Sequence, residues 1–207
     1  MLSLKHQTQE EQRLLKLFSK GNTIPKCVID MLPYDKGYLG RYVEALCRHN
    51  GFKTSKTGVD LPDLGIEIKT RELGGQSATN WAVITENDLK NSIRYEDSQA
   101  YLMLQKHLRI IWVRDMHGGG EIRQSMIMEL DDPTTDFQRE FKNAFEYAQS
   151  RINSGKTYLL KPGARFFLEK TSEGSSWQMR STEKILRETL HTFGSLDTRD
   201  EFLHFEN

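Results

Sequence analysis

The sequence predicts a mixed α/β fold, a β-sheet flanked by helices. Two kinds of pattern point to it. Stretches with apolar residues every three to four positions, such as Tyr38 to His49 and Asp136 to Asn153, read as amphipathic helices. Short apolar or alternating runs, such as Trp81-Ala82-Val83-Ile84-Thr85 and Leu108 to Val113, read as strands. The two kinds follow one another along the chain, which is the pattern of helices layered on a sheet.

With 207 residues, the chain is long enough for one well-buried domain over 1–207. Lys plus Arg and Asp plus Glu number 29 each, so no net field attracts a polyanion, and a nucleic-acid surface would have to be a local basic patch. No run of about eighteen apolar residues implies a membrane span, and the first residues, Met1 to Gln7, lack an apolar signal core. Cys27 and Cys47 have no metal-binding spacing and read as inert thiols of a reducing cytoplasm.

In order, Thr8 to Lys20 reads as a helix with Leu14, Leu15, Leu17 and Phe18 as its apolar stripe and its charges on the opposite face. Gly21-Asn22 stops it. A helical turn follows Pro25, and Pro33 breaks the chain. Tyr38, Leu39, Tyr42, Val43 and Leu46 line one face of the next helix, with Glu44 at its border. Gly58 to Thr70 reads as a turn running into a strand. Ile66 and Ile68 point one way, Glu67 and Lys69 the other, because strand side chains have period two. Pro62 and Gly65 bend the preceding segment and bring Asp60 back towards Glu67.

Glu72 to Thr79 is a polar loop containing Gly74-Gly75, and Trp81 to Thr85 is the next strand. Glu86 to Tyr95 is loop-like with a helical turn, and Gln99 to Gln105 is weakly helical. Leu108 to Val113 is a buried strand, entered through Lys106-His107, with His107 read as a surface residue. His117-Gly118-Gly119-Gly120 makes a hairpin loop, from which Glu121 to Glu129 returns as the partner strand. The triple glycine carries no phosphate-loop or acyl-transfer motif around it. Phe137, Phe141, Phe145, Ala148 and Ile152 form a core stripe, and Gly155 ends their helix. Short strands follow at Thr157 to Leu160, Ala164 to Lys170 and Trp177 to Met179. A helix from Ser181 to about His191 and a polar tail complete the chain.

Two carboxylates and an amine at one point form the set that a Mg2+-dependent phosphodiesterase uses: oxygen ligands for a hard cation, and a positive group for the charge that develops on phosphate. Asp…Glu-x-Lys alone is a short pattern, and its usual explanation is a solvated charged pair on an edge strand. The surroundings are more specific. Asp35-Lys36-Gly37-Tyr38-Leu39-Gly40-Arg41-Tyr42-Val43-Glu44, then Asp60-Leu61-Pro62-Asp63-Leu64-Gly65-Ile66-Glu67-Ile68-Lys69-Thr70, resembles the MutH family of mismatch-repair nicking endonucleases and related type II restriction enzymes, within the PD-(D/E)XK nuclease superfamily.

That resemblance covers about Asp35 to Thr70. It implies a restriction-endonuclease-like fold, with a catalytic core over about 1–153 and a DNA-recognition part over about 155–195. It implies Mg2+, for which Mn2+ would substitute, held by Asp60, Glu67 and the carbonyl of Ile68. Glu44 would act through water or on a second ion, and Lys69 on the attacking water or the phosphate charge. Lys36, Lys106, Arg109, Arg165 and Lys170 are the expected DNA contacts, with Lys161 and Arg180 as further donors. The partner would be double-stranded DNA, bound by one copy or by a homodimer. The Arg-Pro-Lys run of the repair enzymes is absent from this chain. A restriction-type endonuclease is therefore the leading reading. The alternatives are a repair nicking enzyme activated by a MutL-like ATPase and an inactive DNA-binding module of the same fold.

Overall fold

The computed structural model describes residues 7–73, 79–91, 93–132, 135–171, 176–182 and 184–185. The fold is mixed α/β, as the sequence predicts, with its strands divided between two sheets. The chain separates into two compact units, Met1–Gly75 with Lys106–Glu129, and Gln76–Gln105 with Leu130–Asn207. The expected loop glycines Gly74-Gly75 and nearly all of the expected helix after Ser181 lie outside the described residues.

In the first unit, α1 (Gln9–Leu17) starts at a capping box: the Thr8 side chain accepts from the Glu11 amide, and Glu11 accepts from the Thr8 amide at 2.8 Å. The two-residue strand β1 (Thr23–Ile24) follows, then α2 (Lys26–Met31) and α3 (Tyr38–His49). The residues α3 buries, Leu39, Val43 and Cys47, recur at helical spacing. Arg48 and His49 complement the negative end of the helix dipole. β2 (Glu67–Glu72), β4 (Lys106–Arg114) and β5 (Gly120–Glu129) complete a mixed sheet in the order β1-β5-β4-β2, and the chain's third strand, β3 (Thr79–Thr85), belongs to the other unit. β4 and β5 form an antiparallel hairpin, whereas β2 and β4 are parallel, so residues 73–105 serve as the connection that a parallel pair requires. Gly120 lies where β5 pairs with Ile24 of β1, and a β-carbon there would lie 3.0 Å from the Trp112 ring, a tight contact that glycine avoids. Leu14, Phe18, Val43, Ile66, Leu108 and Ile110 belong to one buried core cluster that joins α1, α3 and one face of this sheet.

Two expectations are corrected here. Glu11 does not lie on a solvent face: it is 4% exposed. Its carboxylate accepts from Lys106 Nζ at 2.8 Å, and Lys106 also pairs with Glu129 at 3.4 Å. His107 is not a surface residue but fully buried. β4 starts two residues earlier than expected, at Lys106, so His107 and Arg109 alternate onto the face opposite Leu108 and Ile110. That face is buried as well, with Met126 and Met128 beside them on β5.

The second unit contains the antiparallel sheet β3-β8-β7-β6, from β3, β6 (Tyr158–Leu159), β7 (Phe166–Lys170) and β8 (Ser176–Ser181). It also contains α4 (Glu86–Lys90), α5 (Gln99–Met103) and α6 (Phe137–Arg151). The phenylalanine stripe of α6 is core packing, as expected. Phe141 lies 4.4 Å from Phe166 between ring centroids, and Trp81 meets Phe166 edge-on at 5.5 Å. The buried indole N–H of Trp81 donates to Ser181 Oγ at 2.9 Å. Gln149 of α6 donates to the carbonyl of Ile93, beyond α4, at 2.7 Å and to that of Asp88 within α4 at 3.2 Å. Among the described residues no helix is long and apolar enough to cross a membrane.

Candidate active site

The site is built on one strand and the turn before it, all within the first unit. Leu61 bridges Ile66 in antiparallel fashion, and Leu64 N–H donates to Leu61 C=O at 3.1 Å. This tight turn needs a left-handed residue, supplied by Gly65 at φ +64°. It folds the chain back on itself, so Asp60 comes alongside the start of β2. Its carboxylate accepts the Ile68 amide at 2.8 Å.

β2 is the outermost strand of its sheet among the described residues. A strand residue's N–H and C=O leave the backbone on the same side. The Ile68 amide is engaged by Asp60, so the Ile68 carbonyl also faces that side. Buried Leu61, Ile66 and Ile68 anchor the turn and the strand in the core. Glu67 and Lys69 share the opposite face, where Lys69 Nζ donates to Glu67 Oε1 at 2.6 Å. Both side chains are largely enclosed, at 14% and 6% exposure for Lys69 and Glu67. The second oxygen, Glu67 Oε2, is buried and accepts no hydrogen bond from any described residue. An ionised carboxylate oxygen buried in this way is costly unless a cation or proton meets it.

The electrostatics agree with that geometry. Burial raises the Asp60 carboxyl above the ordinary aspartate range, although the Ile68 amide and the Lys69 charge pull it down. Burial likewise raises Glu67; Lys69 opposes this and the charge of Asp60 adds to it. Glu44, on α3, is raised by burial, then by Asp60 and Glu67, against the pull of Arg48 and Arg41. Glu44 and Glu67 thus both feel the charge of Asp60, and such crowding of acids favours a nearby cation.

The structure therefore brings Asp60, Glu67, Ile68 and Lys69 together, with Glu44 within electrostatic range. Among the described residues no group of three or more His, Cys, Asp or Glu side chains is arranged to hold a metal ion. Glu44 does not join Asp60 and Glu67 as a third side-chain ligand. A hard cation here would be offered the carboxylates of Asp60 and Glu67 and the backbone carbonyl of Ile68.

The crowding carries a prediction. A carboxyl whose folded pKa is raised binds its proton more tightly folded than unfolded, so its ionised form costs stability at neutral pH. Glu44→Gln should stabilise the metal-free protein near neutral pH by a few tenths of a kcal/mol. The gain should vanish below the ordinary glutamate value of 4.5. Thermal melts in chelator across that pH range would measure it.

The expected DNA contacts fare unequally. Lys36 is exposed just before α3. Lys106 is committed to Glu11 and Glu129, and its pKa is raised despite partial burial because those two carboxylates outweigh desolvation. Arg109 is 1% exposed on β4, so it cannot reach a phosphate from this position; the strand's alternation places it inside. In the second unit, Arg165 pairs with Glu140 at 3.2 Å, and Lys170 lies 3.7 Å from Glu86 and 5.8 Å from the Trp177 ring. Lys161 is exposed, and Arg180 pairs with Glu169. Sequence reasoning passed over Arg71, which lies two residues beyond Lys69 on the same strand; its only signal was the period-two alternation. Compared with known families and curated proteins, the chain matches no family model and no curated relative.

Proposed function

We propose that the protein is a Mg2+-dependent DNA endonuclease of restriction type. The observation that carries this reading is the Asp60-Glu67-Lys69 cluster on the rim of the sheet, with Glu67 Oε2 buried and accepting no hydrogen bond from any described residue. Asp60, Glu67 and the Ile68 carbonyl would hold the cation, and Mn2+ would substitute for Mg2+. When bound, the cation supplies a Lewis acid that neutralises phosphate charge and polarises water.

The chain's own residues do the rest. Glu67 fixes the Lys69 amine through the 2.6 Å bond, which leaves other ammonium N–H groups for a phosphate oxygen or the attacking water. Asp60 is held in place by the Ile68 amide and need not reorganise to bind. Glu44, within electrostatic range of Asp60 and Glu67, would act on the cation through water or on a second ion. Hydrolysis adds a water across one P–O ester bond: the bond to the attacking oxygen forms, the bond to the sugar oxygen breaks, and that oxygen takes up a proton.

Similarity of Asp35 to Thr70 to the MutH family supports the same reading. Two cysteines that form no disulfide, Cys27 and the buried Cys47 with its thiol pushed up to about 12, fit a reducing cytoplasm. The repair alternative, nicking activated by a MutL-like ATPase, shares this site. It is less favoured because the chain lacks the repair enzymes' Arg-Pro-Lys run.

Purified protein with unmethylated plasmid and Mg2+ or Mn2+ should give double-strand cuts at fixed positions without helper proteins. Slow nicking that a partner ATPase accelerates would favour the repair enzyme. Full activity in chelator would overturn the metal mechanism, and binding without cleavage under all conditions would leave a DNA-binding module.

A further inference from the structure

We infer that Arg71 grips the phosphate adjacent to the one that is cleaved. This rests on the nuclease reading above and assigns a further substrate contact to the same strand. β2 pairs with β4 from Glu67 to Glu72 without a shift of register, so its side chains alternate without interruption. The Glu67–Lys69 bond shows that these two share a face, and period two places Arg71 on it as well. Read along the strand, that face carries one acid and then two cations, with the acid at the metal-binding end. Two residues along a strand advance about 6.6 Å, of the order of the separation between successive phosphates on one DNA strand. With Lys69 at the scissile phosphate, the Arg71 guanidinium falls one phosphate further along.

The surroundings suit that role. Arg71 is partly exposed, on the outermost strand of its sheet, and its backbone is fixed by pairing with Ile111. The neighbouring acid, Glu72, is paired with Arg114 at 2.8 Å and points to the other face. A guanidinium presents a planar fork that matches two phosphate oxygens, and it stays charged at any working pH.

The test uses the full chain and a duplex oligonucleotide that carries a mapped cleavage site, with Ca2+ in place of Mg2+ so that binding is read apart from cleavage. Arg71→Ala should lower affinity about ten-fold at moderate salt and reduce the slope of log affinity against log salt by about one. Arg71→Lys should recover most of the slope, since the charge is kept. A neutral methylphosphonate at the flanking phosphate should weaken wild-type binding but leave Arg71→Ala unaffected. Arg71→Gln provides a second neutral variant, with thermal melts to confirm folding. Wild-type slope and an unchanged methylphosphonate response in both neutral variants would overturn the assignment. If the wild type still cleaves in that case, the nuclease reading stands and only Arg71 falls. If the wild type neither binds nor cuts duplex DNA, both fall together.

Discussion

Asp60→Asn is expected to melt slightly above the wild type in chelator near neutral pH, because burial raises the Asp60 carboxyl, and to cleave DNA at least a hundred-fold more slowly, on the order of what loss of one pre-positioned charge-stabilising group costs. Asparagine keeps an oxygen that accepts from the Ile68 amide, so the turn that presents it should survive. What disappears is the negative charge. Lys69→Met should be as damaging to catalysis but less innocent structurally. It leaves the Glu67 carboxylate, 6% exposed, without its 2.6 Å partner, and should lower stability by about 1 to 2 kcal/mol. Duplex binding in Ca2+ should be largely retained by Asp60→Asn. Single-turnover cleavage, thermal melts and binding isotherms on the two variants separate chemistry from folding. Cleavage by Asp60→Asn at the wild-type rate would remove Asp60 from the site.

The second large effect is on stability. Lys106→Met should destabilise the protein by about 2 kcal/mol. The lysine closes a buried ion pair with Glu11 at 2.8 Å and reaches Glu129 at 3.4 Å. Burial alone would raise the Glu11 carboxyl, but the hydrogen bonds from Lys106 and from the Thr8 amide, together with the Lys106 charge, hold it below the ordinary value of 4.5. A carboxyl with a depressed folded pKa contributes stability above its unfolded value, lost as pH falls through the folded one. Lys106 is raised above its ordinary 10.5, so its contribution is present below that pH and lost as pH rises through the folded value. The gap between wild type and Lys106→Met should therefore be wide and level between those limits and narrow in acid. Chemical denaturation at neutral pH and below 4.5 would show it. An unchanged midpoint together with a weaker salt dependence of DNA binding would return Lys106 to the phosphate-contact role that its sequence position suggested.

What the sequence disclosed follows from how local each determinant is. The Tyr38 to His49 helix has the bounds its apolar spacing implied, because period and flanking residues are all local. The hairpin from β4 to β5 was legible in three consecutive glycines between two apolar runs. The juxtaposition of Asp60 with the start of β2 was legible because one turn makes it. The fate of His107 and Arg109 was not. Lys-His-Leu-Arg reads as a polar entry to a strand, and only pairing with Glu67 and Lys69 on one side and with Met126 and Met128 on the other fixes which face they join. Glu11 looked like an ordinary solvated helix acid because its partner is 95 residues away. The split into two sheets was hidden for the same reason: β3 finds its neighbour in β8, where Ala82 lies opposite Met179. The two-residue β1 is too short to carry any pattern.

The contact between Asp60 and the Ile68 amide has a consequence that does not depend on the proposed function. A terminal strand with unengaged amides invites a foreign chain to add to it, and proteins commonly shield such rims. Here the shield at Ile68 is the same carboxylate to which the proposed function assigns the cation. Substitutions of Asp60 that lack an acceptor oxygen, such as Asp60→Ala, should bare this rim. At high concentration they should self-associate more than Asp60→Asn does, which light scattering on the two purified variants would reveal.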